Sequence, residues 1–287
     1  MSDYRVTGVD IGGSHVTAGV VNLTTRSVIK ESVLREHVNS KGSADEILKV
    51  WAQAISGLFA AHPEVKRKIG IAMPGPFNYE EGICLIKGVD KFESLFGLNV
   101  KEILAKELGV EKNDIALMND AACFLKGEVF GGAAVGCKHV VGVTLGTGLG
   151  SAGFHDGKIY EGNLYRSPFK DATAEDYLST RWFVRKYKEM TGDTIKSVKE
   201  LCSKIDEQPR VLSLFSEFGK NLGAVLAAYV QKHPCESVVI GGNIINAWQM
   251  FFKDAKQVMD DLGQRVALRK AELGEEGALA GAASLWG

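Results

Sequence analysis

A carboxylate followed by paired glycines stands near the start of the chain, in the run Asp10-Ile11-Gly12-Gly13-Ser14. Glycines let backbone N–H groups approach an anion closely, and a carboxylate at the end of a strand can hold a solvated Mg²⁺ beside phosphates. The run is therefore a candidate phosphate loop, with Asp10 as a candidate Mg²⁺ ligand through water. A tight hairpin with a solvated aspartate explains the same residues equally well.

A second glycine run, Gly146-Thr147-Gly148, lies in a segment that repeats the first. Residues 8–22 align with residues 142–156 without a gap, at a constant offset of 134 positions and with five identities. Each copy leads from a β-branched strand through a glycine turn into a second strand. A dinucleotide-binding turn is the competing interpretation, but that turn must open a helix, whereas strand-like residues follow this one. The repeat predicts two glycine hairpins that clamp a triphosphate.

Two polar residues, Asn119 and Asp120, stand where a predicted strand at 114–118 meets a predicted helix from 120 to about 130. The carboxyl ends of strands in an open α/β sheet face the crevice where ligands bind, so Asp120 is a candidate catalytic carboxylate. Such residues are also frequent helix N-caps, and this alternative stays open.

A third glycine turn, Gly241-Gly242, follows an apolar strand predicted at 237–240 and precedes a predicted helix. Glycine at such a turn allows a flat ligand to lie against the backbone. Ordinary turn chemistry accounts for the pair as well.

The rest of the pattern alternates between helix and strand. Helices are predicted after a capping box at residues 43–46 and at about 100–108, 174–190, 210–233 and 275–285, and a buried strand is predicted at 68–73. This alternation predicts two α/β halves. The repeat places a first domain at residues 1–118, completed by about 272–287, and a second domain at residues 119–271.

The composition limits the class of protein. At 287 residues the chain exceeds the usual size of one hydrophobic core, and its 45% apolar content can fill two. A net charge of −1 makes nucleic acid and membrane unexpected partners. Five cysteines without CxxC spacing argue against a disulfide framework and a structural zinc site. Without a signal peptide or a membrane-spanning run, we expect a cytoplasmic protein.

Taken together, the motifs resemble the ROK family of bacterial sugar kinases, within the superfamily of sugar kinases, actin and heat-shock ATPases. The resemblance covers nearly the whole chain and is carried by the runs DIGGSHVTAG, PGPF, NDAA, LGTGLGSAG and VVIGGN. It implies a two-domain actin-like ATPase fold of the ribonuclease H type, with a duplicated β-hairpin-led α/β domain. It also implies glucokinase-like, ATP-dependent phosphorylation of a hexose or hexose derivative at O6, and assembly as a homodimer.

The resemblance implies a role for each matching residue. The implied set is Asp120 as general base; Asn119, Glu175, Pro74 and Gly75 as sugar-binding residues; Asp10, Gly12, Gly13 and Ser14 as the first phosphate site; Gly146, Thr147 and Gly148 as the second; and Gly241 and Gly242 as the adenosine turn. ATP and Mg²⁺ are the implied cofactors, with Asp10 acting on Mg²⁺ through water.

One segment departs from the family pattern. Relatives commonly carry a Glu-x-x-His element and a cysteine cluster that bind structural zinc, whereas residues 161–171 contain neither His nor Cys. No zinc is therefore expected, and the family's usual sugar contacts do not transfer. The sequence does not identify the sugar. Arg166, Lys170 and Asp171 are candidate contacts for an acidic or amino sugar. The alternative is that they are simply charged residues of an exposed loop.

Three alternatives remain beside a sugar kinase. Many ROK proteins are sugar-responsive repressors with a helix-turn-helix before the first phosphate loop, but here only nine residues precede Asp10. A catalytically silent sugar-binding protein would have no use for a base aimed at a phosphate. The third alternative is a non-sugar member similar to acetate kinase.

Overall fold

The computed structural model describes residues 4–89 and 91–287, which form two compact units. The first unit contains the chain up to Val135 together with Glu275–Gly287, and the second is Gly136–Gly274. The predicted boundary at Met118 falls inside the first unit, because the helix that begins at Asp120 packs against the C-terminal helix of the same unit.

Fifteen strands are present among the described residues. They are β1 (Arg5–Ile11), β2 (His15–Asn22), β3 (Ser27–Val28), β4 (Leu34–His37), β5 (Ile69–Met73), β6 (Phe77–Asn78), β7 (Ile83–Cys84), β8 (Ile115–Asn119), β9 (His139–Leu145), β10 (Leu149–His155), β11 (Lys158–Glu161), β12 (Pro168–Phe169), β13 (Ala172–Thr173), β14 (Ser237–Gly241) and β15 (Ala267–Lys270).

Nine α-helices accompany these strands in the described part of the chain. They are α1 (Ala44–Ala61), α2 (Val100–Leu108), α3 (Asp120–Gly131), α4 (Ala174–Tyr177), α5 (Thr180–Thr191), α6 (Val198–Ser203), α7 (Leu212–Lys232), α8 (Trp248–Asp261) and α9 (Glu276–Ala283). None of the helices described is both long and apolar enough to cross a bilayer.

The two units contain sheets of matching topology. The first has the order β3-β2-β1-β5-β8, with β4 also paired to β2, and the second has the order β11-β10-β9-β14-β15. In each sheet an antiparallel hairpin, β1–β2 or β9–β10, is followed by two parallel strands. The internal repeat is thus a duplicated β-hairpin-led α/β unit, as predicted.

Local sequence signals explain several of the elements. Helix α1 begins at the predicted capping box, where the Ser43 side chain accepts a hydrogen bond from Glu46 N and the Glu46 carboxylate accepts one from Ser43 N. Its apolar face buries Trp51, which packs edge-on against Phe92. Helix α2 has the predicted bounds and ends at Gly109 in a left-handed conformation.

Other elements differ from the sequence prediction. The helix expected at 174–190 is divided into α4 and α5, because Leu178 and Ser179 leave the helical conformation and become fully buried. The helix expected directly after Gly242 starts only at Trp248, after a 3₁₀ turn. The C-terminal helix α9 ends at Ala283 and continues as a further 3₁₀ turn.

Glycines allow α3 and α9 to touch through their backbones. A Cβ on Gly281 would lie 1.7 Å from the carbonyl oxygen of Cys123, and one on Gly127 would lie 2.0 Å from that of Gly277. Neither helix can therefore accept a side chain at these positions without moving away from its neighbour.

We expect Gly281→Ala to lower the free energy of unfolding by about 3 kcal/mol, because the backbones must separate to admit the methyl group. Urea denaturation of the purified chain measures the effect. Gly57→Ala is the matched control: this glycine lies inside α1, and its Cβ would stand 3.7 Å from Leu34, an ordinary contact. That variant should gain about 0.5–1 kcal/mol, and equal effects for both variants would contradict the argument.

Candidate active site

The carboxyl ends of three neighbouring strands bring the polar residues of the first unit to one sheet edge. Asp10 of β1 is in register with Ala72 of β5, and Ala72 is in register with Met118 of β8. Asp120, which begins α3 two residues later, is therefore at the same edge as Asp10. This is the edge of an open α/β sheet at which ligands bind.

The turn between β1 and β2 is short and exposed. Gly12 N donates a hydrogen bond to His15 O at 2.9 Å, which closes the turn, and the Ser14 hydroxyl lies 2.9 Å from His15 Nδ1. Gly13 and Ser14 are exposed. A Cβ on Gly13 would lie 3.9 Å from Lys91 Cδ, so this lysine side chain runs beside the turn. The sequence alone assigns no role to Lys91, since nothing in its local pattern links it to a residue 78 positions earlier.

Asp10 carries a perturbed carboxyl group. Burial, together with the nearby carboxylates of Asp120 and Glu275, raises the pKa of Asp10 to about 7, against the opposing effect of Arg35. Burial and the repulsion from these two carboxylates thus oppose ionisation of Asp10. Carboxylate oxygens are the donors that Mg²⁺ prefers, and a cation would relieve this repulsion, so the donor set fits the metal.

Asn119 caps α3 and supports the same sheet edge. Its Oδ1 accepts hydrogen bonds from Ala121 N at 3.0 Å and Ala122 N at 3.2 Å. The N-cap interpretation therefore applies to Asn119. Asp120 is exposed, and its Oδ1 accepts a hydrogen bond from the neighbouring Ala121 N, at 2.9 Å.

The Pro74-Gly75 segment lies next to the Asn119 side chain. Asn119 Nδ2 donates to the Tyr79 hydroxyl at 3.2 Å, and this hydroxyl donates to Met73 O at 3.1 Å. A Cβ on Gly75 would lie 3.0 Å from the same hydroxyl oxygen. The structure thus brings Gly75 and Asn119 together, with Tyr79 as a linking residue that the sequence analysis missed.

In the second unit, the turn between β9 and β10 is held at both ends. Gly146 O accepts hydrogen bonds from Thr180 N at 2.8 Å and from Thr180 Oγ1 at 2.9 Å. At the other end, Leu149 N donates to Glu175 Oε2 at 3.0 Å. Glu175 Oε1 is in turn 2.6 Å from Arg181 Nη2. Residues of α4 and α5 therefore fix the shape of this glycine turn.

Glu175 has a structural task that the sequence analysis did not foresee. The resemblance implied a sugar-binding glutamate, whereas both carboxylate oxygens here have partners inside the second unit. A Cβ on Gly148 would lie 2.6 Å from Glu175 Oε2, which explains why glycine is needed at that point of the turn. Sugar binding by Glu175 stays a prediction.

The Gly241-Gly242 turn lies directly against the end of β9. Gly241 is in parallel register with Thr144, and Gly242 has a φ of 84°, a conformation that favours glycine. A Cβ on Gly242 would lie 2.4 Å from Leu145 O. Two of the three predicted glycine turns, Gly146–Gly148 and Gly241–Gly242, thus share one edge of the second sheet.

A basic cleft adjoins the second glycine turn. Its volume is about 510 Å³, and its lining residues are Thr147, Thr180, Arg181, Val184, Arg185, Lys188 and Lys196. Four of these seven side chains are cationic, so the cleft suits an anion. Positions 181, 185 and 188 follow helical spacing on α5, a signal present in the sequence, although only the fold shows that this face meets the turn.

Residues 161–171, the segment that departs from the family pattern, make polar contacts within the second unit. Lys170 Nζ is 2.8 Å from Asn221 Oδ1 and lies over the rings of Phe169 and Tyr177, at 5.4 and 4.9 Å from their centroids. The Asp171 carboxylate accepts a hydrogen bond from the Tyr177 hydroxyl, which lowers the pKa of Asp171. Lys170 and Asp171 are thus engaged locally, and a contact of theirs with a sugar stays a prediction.

The duplicated hairpin-led sheets define the class of fold as that of the actin-like ATPases. The chain belongs to the ROK family, as the resemblance implied, because the model of that family matches residues 6–164 and 170–287. The unmatched residues between these two ranges, 165–169, lie within residues 161–171, the segment that departs from the family pattern.

Individual relatives agree with this membership. The N-acetyl-D-glucosamine kinase of Photobacterium profundum is 23% identical to this chain, over 97% of this chain and 98% of that protein. The crystal structure of a ROK family glucokinase from Streptomyces griseus, in complex with glucose and AMPPNP, has a TM-score of 0.80 at 22% identity and covers 98% of both chains. A ROK family transcriptional regulator also has a TM-score of 0.80, at 18% identity, covering 98% of this chain and 77% of that one.

Proposed function

We propose that this protein is an ATP-dependent sugar kinase that phosphorylates a hydroxyl of a hexose or hexose derivative, at O6, with Asp120 as the general base. The observation that carries the proposal is the pairing of Asp10 and Asp120 at the carboxyl edge of one sheet, beside a glycine turn. The N-acetyl-D-glucosamine kinase and glucokinase relatives support the class of reaction.

Each residue has a distinct part in the proposed reaction. The exposed Asp120 carboxylate accepts the proton of the sugar hydroxyl as the hydroxyl oxygen attacks the γ-phosphorus of ATP and ADP leaves. Asn119, with Pro74 and Gly75 beside it, orients the sugar. Asp10 is the residue that would hold Mg²⁺, through water, and the ion, when bound, neutralises charge on the phosphates.

The phosphate-binding residues of the donor are assigned from both units. Gly12, Gly13 and Ser14 form the first phosphate turn, with Lys91 as an additional cation beside it. Gly146, Thr147 and Gly148 form the second, flanked by the basic cleft, and Gly241 with Gly242 receives the adenosine. That these turns bind the same nucleotide stays a prediction, as does assembly into a homodimer.

The main alternative is a sugar-responsive transcriptional regulator or a silent sugar-binding protein. The fold alone does not separate them, since a ROK regulator has the same fold as a ROK glucokinase. The paired Asp10 and Asp120 favour a kinase, because sugar binding alone needs no carboxylate pair at a phosphate turn. A coupled assay of ADP formation over a panel of hexoses and N-acetylhexosamines tests the proposal. Failure to phosphorylate any of them, together with a gel shift on genomic DNA fragments, would favour the regulator.

We expect Lys188→Glu to raise the KM for ATP about tenfold with a smaller change in kcat, because reversing one charge in the basic cleft weakens anion binding by about 1.4 kcal/mol. Steady-state kinetics at saturating sugar measure this. Lys186→Glu is the matched control, since Lys186 lies on the same helix, outside the cleft, 3.0 Å from Glu189. An equal rise in KM for both variants would mean that the cleft does not bind the donor.

A further inference from the structure

Two histidines of the second unit face each other across the β9–β10 hairpin. His139 begins β9, His155 ends β10, and the two are directly in register. The next pair along the ladder is hydrogen-bonded, with Asp156 N donating to Lys138 O at 2.9 Å. Because hydrogen-bonded and non-hydrogen-bonded pairs alternate, His139 and His155 form a non-hydrogen-bonded pair, whose side chains lie closest together. Their Nδ1 atoms are 2.6 Å apart.

A carboxylate completes the cluster. Asp156 follows His155 and has a φ of 44°, in the tight turn that leads into β11. Its Oδ2 lies 3.5 Å from His155 Nε2, and its Oδ1 lies 3.9 Å from His139 Nε2. One ligand atom from each residue can be chosen so that all three lie within 4.8 Å of one another. Across residues 4–89 and 91–287, no second group of three or more His, Cys, Asp or Glu side chains meets this criterion.

We propose that His139, His155 and Asp156 form a binding site for a divalent transition-metal ion of the zinc class. Two imidazoles and one carboxylate are a donor set that Zn²⁺ takes in proteins, with water at the remaining position. The side chains of His155 and Asp156 are 62% and 61% exposed, so the ion can enter from solvent and keep a water ligand. His139, with 31% exposure, anchors the site to the sheet.

Within the second unit, the site is separate from the Gly146–Gly148 turn. His139 and His155 are at the opposite end of the β9–β10 hairpin from the Gly146–Gly148 turn. It is also separate from residues 161–171, where the family's zinc element is missing. A bound ion would link the start of β9 to the end of β10 and stabilise the second unit, because a ligand that binds only the folded state shifts the unfolding equilibrium.

The test is zinc binding by the full chain after chelator treatment and removal of the chelator. We expect one equivalent of Zn²⁺ to bind by isothermal titration calorimetry and to raise the Tm by about 5 °C at a hundredfold excess over Kd. His155→Asn and Asp156→Asn should each weaken binding by at least about tenfold. Co²⁺ in place of Zn²⁺ should give visible d–d absorption without a thiolate charge-transfer band.

A matched control is available in the first unit. His15 and His37 form another cross-strand pair, with ring centroids 5.5 Å apart. His37→Asn should leave zinc affinity unchanged. The proposal is overturned if zinc fails to bind at millimolar concentration, if His155→Asn binds as tightly as the wild type, or if the loss occurs in His37→Asn instead. A thiolate band in the Co²⁺ spectrum would likewise place the ion on a cysteine.

Discussion

Replacing Asp120 by asparagine is expected to reduce kcat by about 10²–10⁴ while the protein stays folded. General-base catalysis contributes a factor of this size, and asparagine cannot accept the proton of the sugar hydroxyl. The substitution is nearly isosteric. The Asp120 side chain is exposed, and its one local hydrogen bond, from Ala121 N, can be accepted equally by an amide oxygen.

The measurement is steady-state ADP formation at saturating ATP, Mg²⁺ and the best sugar of the panel, with thermal unfolding as the check on folding. Asp45→Asn is the control, because Asp45 is also an acidic residue in the first turn of a helix, α1, but has no part in the proposed reaction. It should retain full activity and lose no more than about 1 kcal/mol of stability. Turnover near the wild-type rate in a folded Asp120→Asn protein would remove Asp120 from the mechanism.

Asp10→Asn is expected to stabilise the metal-free protein at pH 8 while abolishing activity. The pKa of Asp10 rises from its ordinary value of 3.8 to about 7 on folding. A group with a raised pKa contributes stability that is complete below pH 4 and is lost as the pH rises through 7. The neutral asparagine avoids that loss, so the variant should exceed the wild type by about 2–4 kcal/mol at pH 8, and the difference should vanish near pH 4.

Urea denaturation from pH 4 to pH 8 in the presence of a chelator measures this difference. Adding Mg²⁺ should reduce it, since the cation offsets the repulsion between carboxylates in the wild type. Asp114→Asn is a control of opposite sign: the hydrogen bond from Lys68, at 2.7 Å, lowers the pKa of Asp114, so its contribution is present at pH 8 and lost as the pH falls. A stability difference for Asp10→Asn that does not vary with pH would show that Asp10 ionises normally.

The sequence by itself determined the elements whose signals are local. The two glycine hairpins, the capping box of α1 and the bounds of α2 depend on backbone freedom and on interactions between residues three or four positions apart, which a linear pattern contains. The repeat at an offset of 134 positions also predicted the duplication of the sheet.

Only the tertiary structure decided which distant residues meet at the candidate site. The pairing of Asp10 with Asp120 depends on the register of β1, β5 and β8, and the engagement of Glu175 by Leu149 depends on how α4 packs against the second turn. The extension of the first unit to Val135 depends likewise on glycine contacts between α3 and α9. Such contacts join residues far apart in the chain, and packing selects them rather than any local preference of the residues themselves.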